Sequence, residues 1–154
     1  MKKTIIVVLV FISTALLGCN DQTTPASTIR TSHHFLMKNK QKKFYATLTE
    51  NAAIKYGNPV GMEQLRLELI KYPSFTTGTE QLTSKQVLIN TPRRKKIRTN
   101  YTLDLLAGNE VVRQADVLCL YDGHIQRVRH CFRSHCRFHR EWVENTECRI
   151  SDLR

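Results

Sequence analysis

The apolar residues of this chain fall into three successive rhythms. Lys2 and Lys3 lead into an apolar stretch from Ile5 to Leu17. That stretch falls short of the roughly 20 residues a helix needs to span a bilayer. Helical spacing comes next. Met37, Phe44, Tyr45 and Leu48 share one side of a predicted helix over Ile29–Leu48, and Met62, Leu65, Leu69 and Tyr72 share one side of a second over Gly61–Tyr72. Between them, Asn58 can cap and Pro59 suits a first helical turn, while Ala52 to Lys55 reads as a short strand. After Thr83 the period drops to two. Gln86–Asn90 is β-branched and apolar, and Ile97–Leu105 alternates strictly. Glu110–Tyr121 and His124–Phe132 follow the turn signals Gly108-Asn109 and Asp122-Gly123. Helices followed by a strand meander predict an α+β fold, with helices packed on a curved antiparallel sheet.

The opening segment has the three parts of a secretory signal: a basic start, an apolar middle and a small residue before the cut. Leu16-Leu17-Gly18-Cys19 resembles the lipobox of bacterial lipoproteins, with Leu17 bulkier than usual at its position. The resemblance implies loss of residues 1–18 and an acylated (palmitate-bearing) N-terminus at Cys19; an ordinary signal peptide is the alternative. Asn20 after the cysteine implies the outer membrane of a Gram-negative-like envelope, with the domain facing the periplasm. Residues 19–28 are polar and read as a flexible tether.

The body, residues 29–131, resembles the NTF2-like superfamily and its SnoaL-like branch. The likeness rests on the long first helix, the run Gly57-Asn58-Pro59-Val60-Gly61-Met62-Glu63-Gln64-Leu65 and the strand pair around Tyr121-Asp122-Gly123-His124-Ile125. It implies a cone of sheet closed by helices. Members include isomerases, cyclases and hydratases as well as non-enzymatic binding modules, so fold alone selects no activity. Residues 132–154 have no counterpart in that pattern and read as a basic, cysteine-containing extension.

Charge and cysteines narrow the classes. The chain carries +11, in two concentrations: Arg93, Arg94, Lys95, Lys96 and Arg98, and the segment from His124 to Arg140, which has five Arg, four His and no acid. Arg133, Arg137 and Arg140 interleave there with Phe132, Phe138 and Trp142. Such patches attract nucleic acid, anionic lipid or lipopolysaccharide. Cys119, Cys131, Cys136 and Cys148 form an even set, which in an exported chain implies disulfides. With a tight turn at Asp122-Gly123, Cys131 points away from Cys119, leaving Cys119–Cys136 or Cys119–Cys148 open. A metal cluster of Cys131, His135, Cys136 and His139 is the alternative, but one short cluster is a weak zinc signal, and neither metal nor cofactor is expected.

The two turns also set a register. Tyr101 then faces Asp116 and Leu103 faces Gln114, while Asp116 faces Arg129 on the next strand. Tyr101, Gln114, Asp116 and Arg129 would thus sit amid the apolar face of the sheet. They either satisfy one another or form the polar base of a pocket, with Asp116 as acid/base, Tyr101 as donor and Arg129 as anion holder. The expected function is a non-enzymatic, lipid-anchored module that binds an envelope protein partner, as in a secretion, conjugation or exclusion system. A SnoaL-like ligand-binding protein or enzyme and a polyanion binder are the rivals.

Overall fold

The structure is a computed structural model that describes residues 23–72 and 74–154. Cys19 and the signal segment lie outside the described residues. Among those described, no helix is long and apolar enough to cross a membrane.

Four helices come first: α1 (Pro25–Met37), α2 (Gln41–Ala46), α3 (Glu50–Tyr56) and α4 (Pro59–Leu69). The first starts earlier than its apolar spacing suggests, because Thr24 and Ser27 form a reciprocal cap and Pro25 occupies the first turn. Residues 25–28 therefore belong to a helix, not to a flexible tether. The expected continuous helix over Ile29–Leu48 breaks at Asn39, whose φ of 51° is left-handed, a conformation Asn tolerates better than most residues. The break lets Leu36 and Phe44 both reach the core, each 1% exposed. Ala52–Lys55, expected as a strand, lies inside α3. Thr49 caps that helix, and Ala52, Ala53 and Tyr56 are buried at helical spacing. Asn58 caps α4 as expected, accepting from the Gly61 N–H at 2.8 Å. A side chain at Gly61 would collide with the Lys55 carbonyl, so glycine permits the tight α3–α4 corner.

Five strands build a curled antiparallel half-barrel: β1 (Thr76–Thr77), β2 (Gln81–Thr91), β3 (Arg94–Ala107), β4 (Glu110–Phe132) and β5 (His135–Leu153). The order is β1-β3-β4-β5, with β2 also pairing β3. Gly108-Asn109 makes the expected tight turn, with Gly108 at φ 64°. Asp122-Gly123 does not turn. It sits mid-strand in β4, with Asp122 paired to Lys96 on one side and Asn145 on the other. Its glycine serves close approach instead. A Cβ on Gly123 would lie 2.5 Å from the Trp142 ring and 2.6 Å from the Tyr121 hydroxyl. The chain reverses at Arg133-Ser134, where Arg133 takes φ 55°. Residues 132–154, expected as a disulfide-tied C-terminal extension of the domain, contain the whole of β5 and place Cys148, Ile150 and Leu153 in the core.

Core burial is confined to one end of the sheet. Leu103, Leu105, Ala115, Val117 and Ile150 face Leu36, Phe44, Leu48, Met62 and Leu65. The α2–α3 link is stitched to the edge of β5: Thr49 N–H donates to the Ile150 carbonyl (2.8 Å), and Ile150 N–H donates to Thr47 (2.9 Å). Two cysteine pairs stand at disulfide distance, Cys119 with Cys148 and Cys131 with Cys136. Cys119–Cys148 bridges directly opposed residues inside the core, and Cys131–Cys136 closes the β4–β5 turn.

The two bridges should differ in worth. They span 29 and 5 residues, and loop-closure entropy assigns about 3–4 kcal/mol to the longer loop and about 2 kcal/mol to the shorter. Urea unfolding of Cys119→Ala/Cys148→Ala is expected to show the larger loss. Equal losses for the two double variants would contradict it.

Candidate functional site

The four residues singled out as a pocket are not brought together. A bulge between Leu105 and Leu106 slips β4 by one residue against β3, so Tyr101 pairs with Val117 and Asp116 pairs with Thr102. One residue of slip reverses the face. Asp116 thus points away from the side of Tyr101, Leu103 and Val117. It accepts from the Thr102 hydroxyl at 2.8 Å and from Arg154 at 2.7 Å. Gln114 lies on the same face as Asp116 and donates to Asp104 at 3.2 Å. Arg129 is on the same strand as Asp116, about 43 Å further along at roughly 3.3 Å per residue. No acid/base pocket is assembled from these groups.

Nor does the apolar core between helices and sheet hold a substrate-sized cavity among the described residues; an open cleft of about 240 Å³ lies beside it, lined by Lys55, Gly61, Glu68 and Arg113. The space within that core is about 30 Å³, lined by Ile29, Ser32, His33, Phe44, Leu105 and Ile150 among others. That is about the volume of one water, against the several hundred Å³ of typical ligand sites.

The unusual surface lies at the other end of the sheet. The β3 partner of β4 stops at Arg94, opposite His124. Beyond it, Ile125–Phe132 and His135–Trp142 continue as a bare two-stranded arm, about 26 Å long at roughly 3.3 Å per residue. Every residue of those two segments except Val128 is exposed. Cross-strand pairing sorts the arm into two faces. One face carries Ile125, Arg127, Arg129, Phe138, Arg140 and Trp142 and continues the core-facing side of β4. Its Arg127 guanidinium stacks 4.3 Å from the Phe138 ring centre, and Arg129 lies 5.9 Å from the same ring. The other face carries the imidazoles. His130 and His139 have ring centres 4.4 Å apart, and His139 Nε2 lies 3.7 Å from a Glu141 carboxylate oxygen.

The two basic concentrations, distant in sequence, adjoin here. Arg93 occupies the β2–β3 turn, and its carbonyl accepts from the Ile125 N–H at 3.0 Å, at the root of the arm. Arg94, Lys96 and Arg98 project on the His124 side, and Lys95 opposes Gly123 beside Trp142. Asp122 neutralises Arg94 at 3.0 Å; the hydrogen bond from this guanidinium, first, and the nearby positive charges hold its carboxyl below the ordinary range. Arg133 sits at the arm's turn, with Arg137 and Arg140 along β5. The sequence places Arg127 in the basic segment His124–Arg140 without singling it out, and suggests a pocket for Arg129. The alternation of Arg127 and Arg129 with Val128 was the signal that they share a strand face.

Compared with known proteins, the chain matches no family model and no curated protein.

Among the described residues, one histidine sits against the core. His33 packs edge-on to Phe75 with ring centres 5.2 Å apart, and its Nε2 is buried without a hydrogen-bond partner. Burial, first, and the neighbouring His34 lower its pKa below the ordinary value of 6.5. A depressed value in the folded state means that the unfolded chain takes up the proton first. The stability is thus fully present above the unfolded value, about 6.5, and is lost as pH falls through the lower folded value. His33→Phe is expected to flatten the loss of stability as pH falls below about 6.5, read from thermal unfolding; an unchanged slope would count against it.

Proposed function

We propose that this chain is a non-enzymatic, lipid-anchored binding module of the cell envelope, whose β4–β5 arm docks on anionic lipid head groups of the bilayer that holds it. The observation that carries this reading is the arm itself: a projecting ribbon on which Arg127, Arg129 and Arg140 share a face with Phe138 and Trp142. Guanidinium groups bind phosphates in a bidentate way, and aromatic rings settle at the membrane–water boundary. Each basic residue near an anionic leaflet contributes about 1 kcal/mol.

Covalent reach supports the choice of partner. Thr23 is held on β5: its N–H donates to the Thr146 carbonyl (2.9 Å), and its hydroxyl oxygen accepts from the Cys148 N–H (2.6 Å). Cys19, the proposed acylated residue, stands four positions earlier, a span of at most about 14 Å. Trp142 stands four positions from Thr146 along β5, about 13 Å. An acylated Cys19 would therefore keep the root of the arm close to the bilayer, at a high effective concentration of head groups. A lipid chain plus a polybasic patch is a recognised two-signal mode of stable attachment.

Helices on one side of a curled antiparallel sheet suit an NTF2-like body. The small interior and the separated Tyr101, Asp116 and Arg129 favour the binding members of that superfamily over its enzymes. Outer-membrane attachment with the domain in the periplasm is the location this reading adopts.

Trp142 is the sole tryptophan and reports on the arm directly. The lipidated full chain is reconstituted in phosphatidylcholine vesicles with or without phosphatidylglycerol. A salt-sensitive blue shift of Trp142 emission is expected only with the anionic lipid, and Arg127→Gln/Arg129→Gln/Arg140→Gln should abolish it. Identical emission in both vesicles, or photo-crosslinking from the arm to an envelope protein instead of lipid in cells, overturns the lipid assignment. Cys19→Ala should release the chain from the membrane fraction.

A further inference from the structure

The imidazole-bearing face of the arm has a separate chemistry, independent of the reading above. We infer that His130, His139 and Glu141 form a binding site for a divalent transition metal, zinc being the simplest case. One donor atom from each residue falls within 4.8 Å of the other two. The strand register creates this grouping. His139 opposes Val128, so His130, two positions further along β4, is its diagonal neighbour on the same face. Glu141 follows His139 by two positions on β5 and returns to that face. The Cys131–Cys136 bridge occupies the pairing position next to His130 and holds the register beside the site.

The donor set selects the metal. Two imidazoles and one carboxylate suit zinc and its neighbours in the first transition row, and leave a coordination position open. Calcium and magnesium require cages of oxygen ligands, and here there is a single carboxylate. Arg137, directly opposite His130 on the same face, further disfavours a cation held by charge alone. The site uses neither cysteine of the cluster considered from sequence, since Cys131 and Cys136 are paired with each other, and it uses His139 without His135. All three residues are exposed, so substituting them leaves the core untouched.

Zinc titration by calorimetry tests the site on the oxidised full chain in detergent, without a histidine tag. Binding of one zinc per chain is expected. His130→Ala and His139→Ala should each weaken it by at least about tenfold, since substitutions even one shell further from a metal cost 10–100-fold. Glu141→Gln should also weaken it. His135→Ala, on the same face but at the turn opposite Phe132, should leave it unchanged. Calcium should give no binding isotherm. Wild-type affinity in His139→Ala, equal weakening by His135→Ala, calcium binding as strong as zinc, or no zinc binding would each overturn the assignment.

Discussion

The pairing of β4 with β5 is the constraint on which the rest of this structure depends. These are the two longest strands, and Cys119 bonded to Cys148 locks their register where it enters the core. Val117 and Ile150, the next pair inward on the same face, are both at most 2% exposed and receive the helices. Sliding one strand by a single residue would turn this set to the opposite face. It would also move Ile150 away from Thr47 and Thr49, which tie the helical layer to the sheet edge, and carry Leu153 away from the Tyr56 hydroxyl that meets its carbonyl at 2.8 Å.

The same ladder leaves the core and becomes the arm. Helices cover only one end of the sheet, so beyond Gly123 the strands have no apolar layer to lie against. A two-stranded ribbon is marginally stable by itself. Here it is held at both ends: by β3 and Trp142 at the root, and by Cys131–Cys136 at the turn. Between these points Arg127 on Phe138 supplies cross-strand contact without an apolar core. The arm can therefore stay ordered while exposing guanidinium groups, aromatic rings and imidazoles. Its two faces differ because side chains alternate: arginine stacks with aromatic rings on one, and histidines meet Glu141 on the other.

The legible parts of the fold were those governed by local chemistry. Asn58 and Pro59 announced α4, Gly108-Asn109 announced a hairpin, and the change from helical to twofold spacing announced the α+β order. The illegible parts were decided by distant residues. Asp122-Gly123 has a strong turn signature, yet Gly123 remains in a strand because Trp142 lies over it. Arg133-Ser134 has almost no turn signature, yet the chain reverses there between two cysteines that bond. The bulge at Leu105-Leu106 carries no mark in the sequence, and it alone removed Asp116 from the side of Tyr101. Ala52–Lys55 is too short for periodicity to separate strand from helix, and the Thr49 cap and burial against the neighbouring elements decided it.

Composition and local pattern thus determined the secondary-structure class, the number of cysteines available for bridges and the abundance of positive charge, because these depend on residue identity or on neighbours within a few positions. Tertiary structure alone decided which cysteines meet, which face each polar group takes and where the charge accumulates. Face and partner in a sheet depend on register, and register is set by turns, bulges and burial summed over the whole ladder. The Arg93–Arg98 block and the His124–Arg140 segment, separate in the chain, became one basic region only when β4 passed straight through Gly123.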